Sequence, residues 1–117
     1  MGVLLEGAIK SAVASASAAN SRWTGRTDYC WTNSIKIGAN NVEYSFGPPR
    51  TRIKAGTTVT FTNGGDIPHD ATSLKQGEWT TGTLAKGESK TVTFSKPGLQ
   101  YYMCTPHPWM YGQIIVE

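Results

Sequence analysis

Histidine is scarce in this chain: its 117 residues include two, His69 and His107. That supply excludes a protein that gathers many imidazoles around several metal ions. Cysteine is equally scarce, with Cys30 and Cys104 the whole complement. Two cysteines cannot build the disulfide framework of a small stapled scaffold. A single bridge between them needs Cα atoms within roughly 7 Å. Charge is thin as well: Asp, Glu, Lys and Arg make up 16% of the residues, against a usual share of about 25%. The net charge of +3 comes from basic residues scattered along the chain. Without a basic run or cluster, no nucleic-acid partner is expected. No stretch approaches the roughly 18 apolar residues of a membrane-spanning helix, so no transmembrane segment is expected.

What the chain does have is glycine, threonine, serine and tight-turn signals, which suit short strands. Its length fits one domain large enough to hold a core without staples. The first 33 residues read differently from the rest. Leu4, Leu5, Ala8, Ile9, Ala12, Val13 and Ala16 recur at spacings near four, and Glu6 stands four residues before Lys10. That pattern predicts a helix over 3–16, with its apolar stripe laid on the main body. The run Val3-Leu4-Leu5 faintly resembles the core of a signal peptide. No basic residue precedes it and Glu6-Gly7 interrupts it, so no clear export signal is read there. Residues 21–33 carry Trp23, Tyr29, Cys30 and Trp31 without a regular period. They are expected to form a connector whose aromatics bury against the sheet, with Cys30 a buried thiol. The boundary therefore falls between a helix and connector over 1–33 and a main domain over 34–117.

From residue 34 onward the period becomes two. Ile35 and Ile37 alternate with polar residues, as do Val42, Tyr44 and Phe46, then Val59 and Phe61, then Val92 and Phe94. Trp79 leads to Leu84, and the chain ends on Ile114-Ile115-Val116. Gly47-Pro48-Pro49, Gly56, Asn63-Gly64-Gly65, Lys86-Gly87 and Pro97-Gly98 punctuate these runs. Seven or eight short strands separated by turns predict an all-β sandwich.

One segment carries chemistry. In Cys104-Thr105-Pro106-His107-Pro108-Trp109-Met110 a thiol, an imidazole and a thioether recur every three residues. Pro106 and Pro108 forbid an ordinary helix, so the segment is expected to be a tight loop at a strand end. A single Cys, His or Met is usually a buried filler or a satisfied polar residue. Together they are the donors that a soft or borderline metal takes. The one other imidazole, His69, follows Gly64-Gly65-Asp66-Ile67-Pro68, just past a strand. His69, Cys104, His107 and a weaker Met110 make a trigonal His₂Cys set with an axial thioether, the donor set of blue-copper electron-transfer sites. Zinc is the chief rival, but it prefers sites without a thioether.

The segment closely resembles the copper loop of the cupredoxins, in particular the amicyanin, plastocyanin and pseudoazurin branch. The two-residue gap between His107 and Met110 is amicyanin-like. The resemblance covers roughly residues 34–117. It includes Phe46-x-Pro48, Gly56-x-x-Val59-x-Phe61-x-Asn63, Pro68-His69, Gly87-Glu88-Ser89 and Gly112-x-Ile114-x-Val116. It implies a Greek-key β-sandwich holding one type 1 copper ion, with His69, Cys104, His107 and Met110 as ligands, in a bacterial periplasmic protein. Two departures stand out. Asp70 follows the first histidine where relatives often carry Asn, and is expected either to favour the oxidised ion or to face water. Trp109 replaces a smaller aromatic.

Four protein donors leave no open position for substrate, which favours a carrier over an enzyme. Blue sites wired to a second copper centre use histidines beside the cysteine, and here the neighbours are Met103 and Thr105. The expected function is to shuttle single electrons between redox partners. A cytochrome, a dehydrogenase or an oxidase would dock near Pro106, His107, Pro108 and Trp109. Trp109 is equally compatible with packing inward beside Met110. The alternatives are an electron-relay domain of a larger copper or quinoprotein oxidoreductase, and a copper storage or delivery protein. The mixed donor set argues against storage.

Overall fold

The β-branched and aromatic residues that alternate along this chain favour extended backbone, because every second side chain can then pack on one face. A computed structural model describes residues 28–117. The helix expected over 3–16, and Trp23, lie outside the described residues. Among the described residues nine strands follow in order: β1 (Cys30–Trp31), β2 (Ser34–Ile37), β3 (Phe46–Gly47), β4 (Arg50–Ile53), β5 (Thr57–Asn63), β6 (Thr72–Ser73), β7 (Ser89–Phe94), β8 (Gly98–Cys104) and β9 (His107–Val116). They form a five-stranded sheet of order β1-β4-β9-β8-β6 and a four-stranded sheet of order β3-β2-β5-β7. The all-β sandwich expected from the sequence is therefore present. The parallel pairs β1–β4, β2–β5 and β4–β9 cannot be made by hairpins, so long connections close the sheets in Greek-key fashion. No helix among the described residues is long and apolar enough to cross a membrane.

The core lies between the two sheets. Ile35, Ile37, Val59, Phe61 and Phe94 come from the smaller sheet, and Ile53, Tyr102, Cys104, Ile114 and Val116 from the larger. Each such large apolar side chain contributes about 1.5–3 kcal/mol by leaving water. Aromatic contacts knit the layers. Phe61 meets the Tyr102 ring edge-to-face at 5.6 Å between centroids, and Phe46 meets it at 4.8 Å. Cys104 and Met110 belong to this same cluster, so the sulfur donors sit at the end of the core and not in a loop above it.

Five expectations change. The Val42-Tyr44-Phe46 alternation does not make one strand: Asn40 and Asn41 take left-handed φ of 54° and 64°, turning the chain ahead of it. Strand β3 begins only at Phe46, and Val42 and Tyr44 are exposed. No strand forms from Trp79 to Leu84; isolated bridges His69–Leu84 and Thr72–Thr80 tie that stretch down instead. Residues of the connector enter the larger sheet as its edge, with Cys30 opposite Thr51 and Trp31 opposite Arg52. Tyr29 is buried and donates its hydroxyl hydrogen bond to Gln113 Oε1, as expected of an aromatic packed on the sheet. Trp31, however, is exposed beneath the guanidinium of Arg52 at 4.5 Å, and Cys30 is an exposed thiol. Both side chains of this short strand are exposed, so Cys30 is not the buried thiol expected.

Candidate metal centre

Two segments meet at one end of the sandwich. The first leaves β5 at Asn63, whose buried side chain organises the loop that follows. Its Nδ2 donates to the carbonyls of Ile67 and Leu84, both at 2.9 Å, and its Oδ1 accepts from the Gly65 N–H. His69 then exchanges two backbone hydrogen bonds with Leu84, at 2.8 and 3.1 Å. The imidazole is thus delivered, fully buried, from a backbone pinned on both sides.

The second segment is the turn from β8 into β9. It is tighter than the loop expected from the prolines. Cys104 and His107 are cross-strand partners, so only Thr105 and Pro106 form the turn. The register then slips between His107 and Tyr111, where Tyr111 faces Met103. A bulge of this kind re-aims side chains. It lets Met110 turn inward to near-complete burial while Trp109, 62% exposed, points to solvent.

The structure brings His69, Cys104 and His107 together. Their ligand atoms lie within 4.8 Å of one another, the one such cluster among the described residues. Cys104 Sγ is 3.7 Å from His69 Nδ1 and 3.4 Å from His107 Nδ1. A metal bound trigonally at about 2.0 Å from nitrogen and about 2.3 Å from sulfur requires sulfur–nitrogen edges of roughly 3.7 Å. The two sulfur–nitrogen edges therefore match that requirement, and all three ligand atoms fall in one compact cluster. Met110 is buried on the same hairpin, in the same cluster as Cys104.

Burial pushes the Cys104 thiol up, and the carboxylate of Asp70 adds to that; backbone N–H groups of Asp70 and His107 pull the other way. Those N–H groups are positioned to receive a thiolate, which is the form that binds metal. His69 is fully buried, whereas His107 is partly exposed at the surface. Around His107 stands an aromatic rim: Tyr44 lies 5.0 Å and Trp109 5.4 Å from its ring centroid, and they lie 5.6 Å from each other.

Two residues do more than the sequence suggests. Asp70 is buried and does not face water. Its Oδ1 accepts the Thr105 backbone N–H at 2.8 Å, and its Oδ2 accepts the Thr105 hydroxyl. Asp70 thereby ties together the two segments that carry the candidate ligands, as an Asn there would. Glu43 is not among the residues that sequence reasoning singles out. Its carboxylate accepts a hydrogen bond from His69 Nε2 at 2.7 Å. The available signal is an acidic residue between Val42 and Tyr44, which becomes informative only once those two are known to face outward.

Comparison with known proteins agrees with this geometry. Residues 33–117 match the model of the copper binding proteins, plastocyanin/azurin family. Amicyanin-alpha of Methylorubrum extorquens is 39% identical over 77 residues, which cover 62% of this chain and 64% of that protein. The chloroplastic plastocyanin of Tetradesmus obliquus is 32% identical over 99 residues, covering 72% of this chain and 66% of that protein. The chain thus spans slightly less than two thirds of these relatives. Among solved structures, a purple cupredoxin from Nitrosopumilus maritimus superposes with a TM-score of 0.67 at 28% identity, over 74% of this chain and all of that one. A copper-containing nitrite reductase from Thermus scotoductus superposes with a TM-score of 0.63 at 34% identity, over 72% of this chain but only 22% of the enzyme. That likeness is to one domain of the enzyme.

Proposed function

The chain belongs to the copper-binding plastocyanin/azurin family, and from that premise we propose that it is a type 1 copper electron-transfer protein. The observation that carries this reading is the cluster of Cys104 Sγ, His69 Nδ1 and His107 Nδ1, whose two sulfur–nitrogen edges suit a trigonal ion. In the proposed site these three are the strong ligands and Met110 is the weak axial one. When bound, copper supplies a one-electron Cu(II)/Cu(I) couple. The chain's own residues supply rigidity, access and selectivity. The pinned backbone of His69 and the Asp70–Thr105 tie hold the donors in one arrangement, so little has to move when the charge changes. Burial of His69, Cys104 and Met110 keeps water away from the sulfur donors.

His107 is the proposed port for electrons, because it is the ligand that reaches the surface. Pro106, Pro108, Trp109 and, in addition to these residues of the turn, Tyr44 surround it with exposed apolar area. A small apolar patch of this kind suits brief docking of redox proteins. The partners we propose are a cytochrome, a dehydrogenase or an oxidase, and the location a bacterial periplasm; family likeness supports both.

We read the protein as a carrier and not an enzyme. Both histidines are committed to one centre, four protein donors leave no open coordination position, and the neighbours of Cys104 are Met103 and Thr105. Voltammetry of the copper-loaded chain tests the reading. A reversible one-electron wave with fast electrode exchange is expected, with no catalytic current on adding nitrite or dioxygen. An irreversible wave, or catalytic current, contradicts it.

A further inference from the structure

Glu43 lies on the far side of His69 from the donor triangle. Its Oε2 stands 2.7 Å from Nε2, while Nδ1 of the same ring faces Cys104 Sγ. Glu43 therefore cannot be a ligand in this arrangement, but it can act on one. The same carboxylate is held in turn. Both of its oxygens accept the Asp66 backbone N–H, at 2.8 and 3.0 Å, and Oε2 also accepts that of Ile67 at 3.4 Å. Those bonds fix the carboxylate in place beside the imidazole. The geometry also depends on Gly65. A Cβ built there would clash with Glu43 Oε2, so the carboxylate occupies the room that the missing side chain leaves.

We propose that Glu43 is the positioning carboxylate of the metal centre: it holds His69 with the proton on Nε2, presents Nδ1 to the metal, and lowers the reduction potential. The inference rests on the copper reading above. A carboxylate accepting from the distal nitrogen fixes the tautomer and ring orientation and makes the ligating nitrogen more basic. Its negative charge, shielded from full solvation, favours the more highly charged oxidised ion. The neighbouring Asp66 side chain turns outward instead, to Lys86 at 2.9 Å. It thus provides a nearby acidic control.

The test uses the full chain loaded with one equivalent of copper. Reduction potentials are measured for the wild type, E43Q, E43A, G65A, the E43A/G65A pair and D66N. E43Q and E43A are expected to move the Cu(II)/Cu(I) equilibrium about tenfold toward Cu(I), a rise of about 59 mV for a one-electron couple. G65A is expected to raise the potential by displacing the carboxylate, yet to add nothing to E43A. D66N is expected to leave it nearly unchanged. Nitrogen-15 NMR of the copper-free protein gives a second readout: His69 is a single Nε2-protonated tautomer in the wild type and a mixture in E43A. A normal thiolate-to-copper band with wild-type potential and unchanged tautomer in E43Q and E43A overturns the role of Glu43 and leaves the metal centre standing. Absence of that band in the wild type overturns both.

Discussion

Replacing Asp70 with alanine separates the two segments that carry the donors. Thr105 presents two hydrogens to an ionised carboxylate, from its backbone N–H at 2.8 Å and from its hydroxyl. Hydrogen bonds to charged groups contribute about 1.5–3 kcal/mol each. Thr105 is exposed, so water recovers part of that loss. The net cost of D70A is therefore about 2 kcal/mol. For a chain of this length each kcal/mol lowers Tm by about 3–6 °C, and D70A should melt about 6–12 °C below the wild type. D70N is the informative partner. Its Oδ1 still accepts the Thr105 N–H, and its amide donates to the Thr105 hydroxyl oxygen. It should cost about 1 kcal/mol or less. T105A loses only the hydroxyl bond and should fall between them. Thermal unfolding of the reduced, copper-free chain, followed by circular dichroism, measures all three. The reasoning is refuted if D70A melts within about 1 °C of the wild type, or if D70N melts as low as D70A.

Tyr102 is fully buried, its hydroxyl has no hydrogen-bond partner among the described residues, and burial raises its pKa. Y102F should therefore be at least as stable as the wild type near neutral pH. Above the unfolded value of about 10, the native state holds the Tyr102 proton while the unfolded chain releases it, so wild-type stability falls as pH rises. Urea titrations at several alkaline pH values should show a shallower fall for Y102F; identical slopes refute it. Gly112 opposes Tyr102, and a Cβ there would clash with the phenol Cζ and Oη. G112A should cost about 3 kcal/mol by overpacking, and a change in urea midpoint worth under about 1 kcal/mol contradicts the packing described. W109A should change stability by less than about 0.5 kcal/mol, because the ring is exposed. It should nonetheless slow electron self-exchange, measured by NMR line broadening in mixtures of oxidised and reduced protein; an unchanged rate removes Trp109 from the docking surface.

Much of the fold is legible in the residue pattern. Period-two alternation in Ile35-x-Ile37, Val59-x-Phe61 and Val92-x-Phe94 marks strands with one buried face, and each of these residues packs in or against the core. The donors are legible because their chemistry is rare: two histidines in the whole chain, one of them three residues from a cysteine. What escapes depends on tertiary context. The alternation at Val42 and Tyr44 mimics a strand, but left-handed Asn40 and Asn41 turn it into a loop whose polar member, Glu43, faces His69. Asp70 reads as a stray charge, because a carboxylate's partners can come from anywhere in the fold; here they come from Thr105. Cys30 reads as buried because cysteines usually are, whereas here it is exposed on a two-residue strand.

Everything proposed for this chain depends on Cys104, with His69, His107 and Met110, holding one copper ion. The decisive experiment is the visible and EPR spectra of the full chain with one equivalent of Cu(II), beside a C104S variant. An intense thiolate-to-copper band with narrow copper hyperfine splitting, absent in C104S, is expected. A pale spectrum with ordinary splitting that C104S leaves unchanged would mean that the four side chains do not assemble around copper.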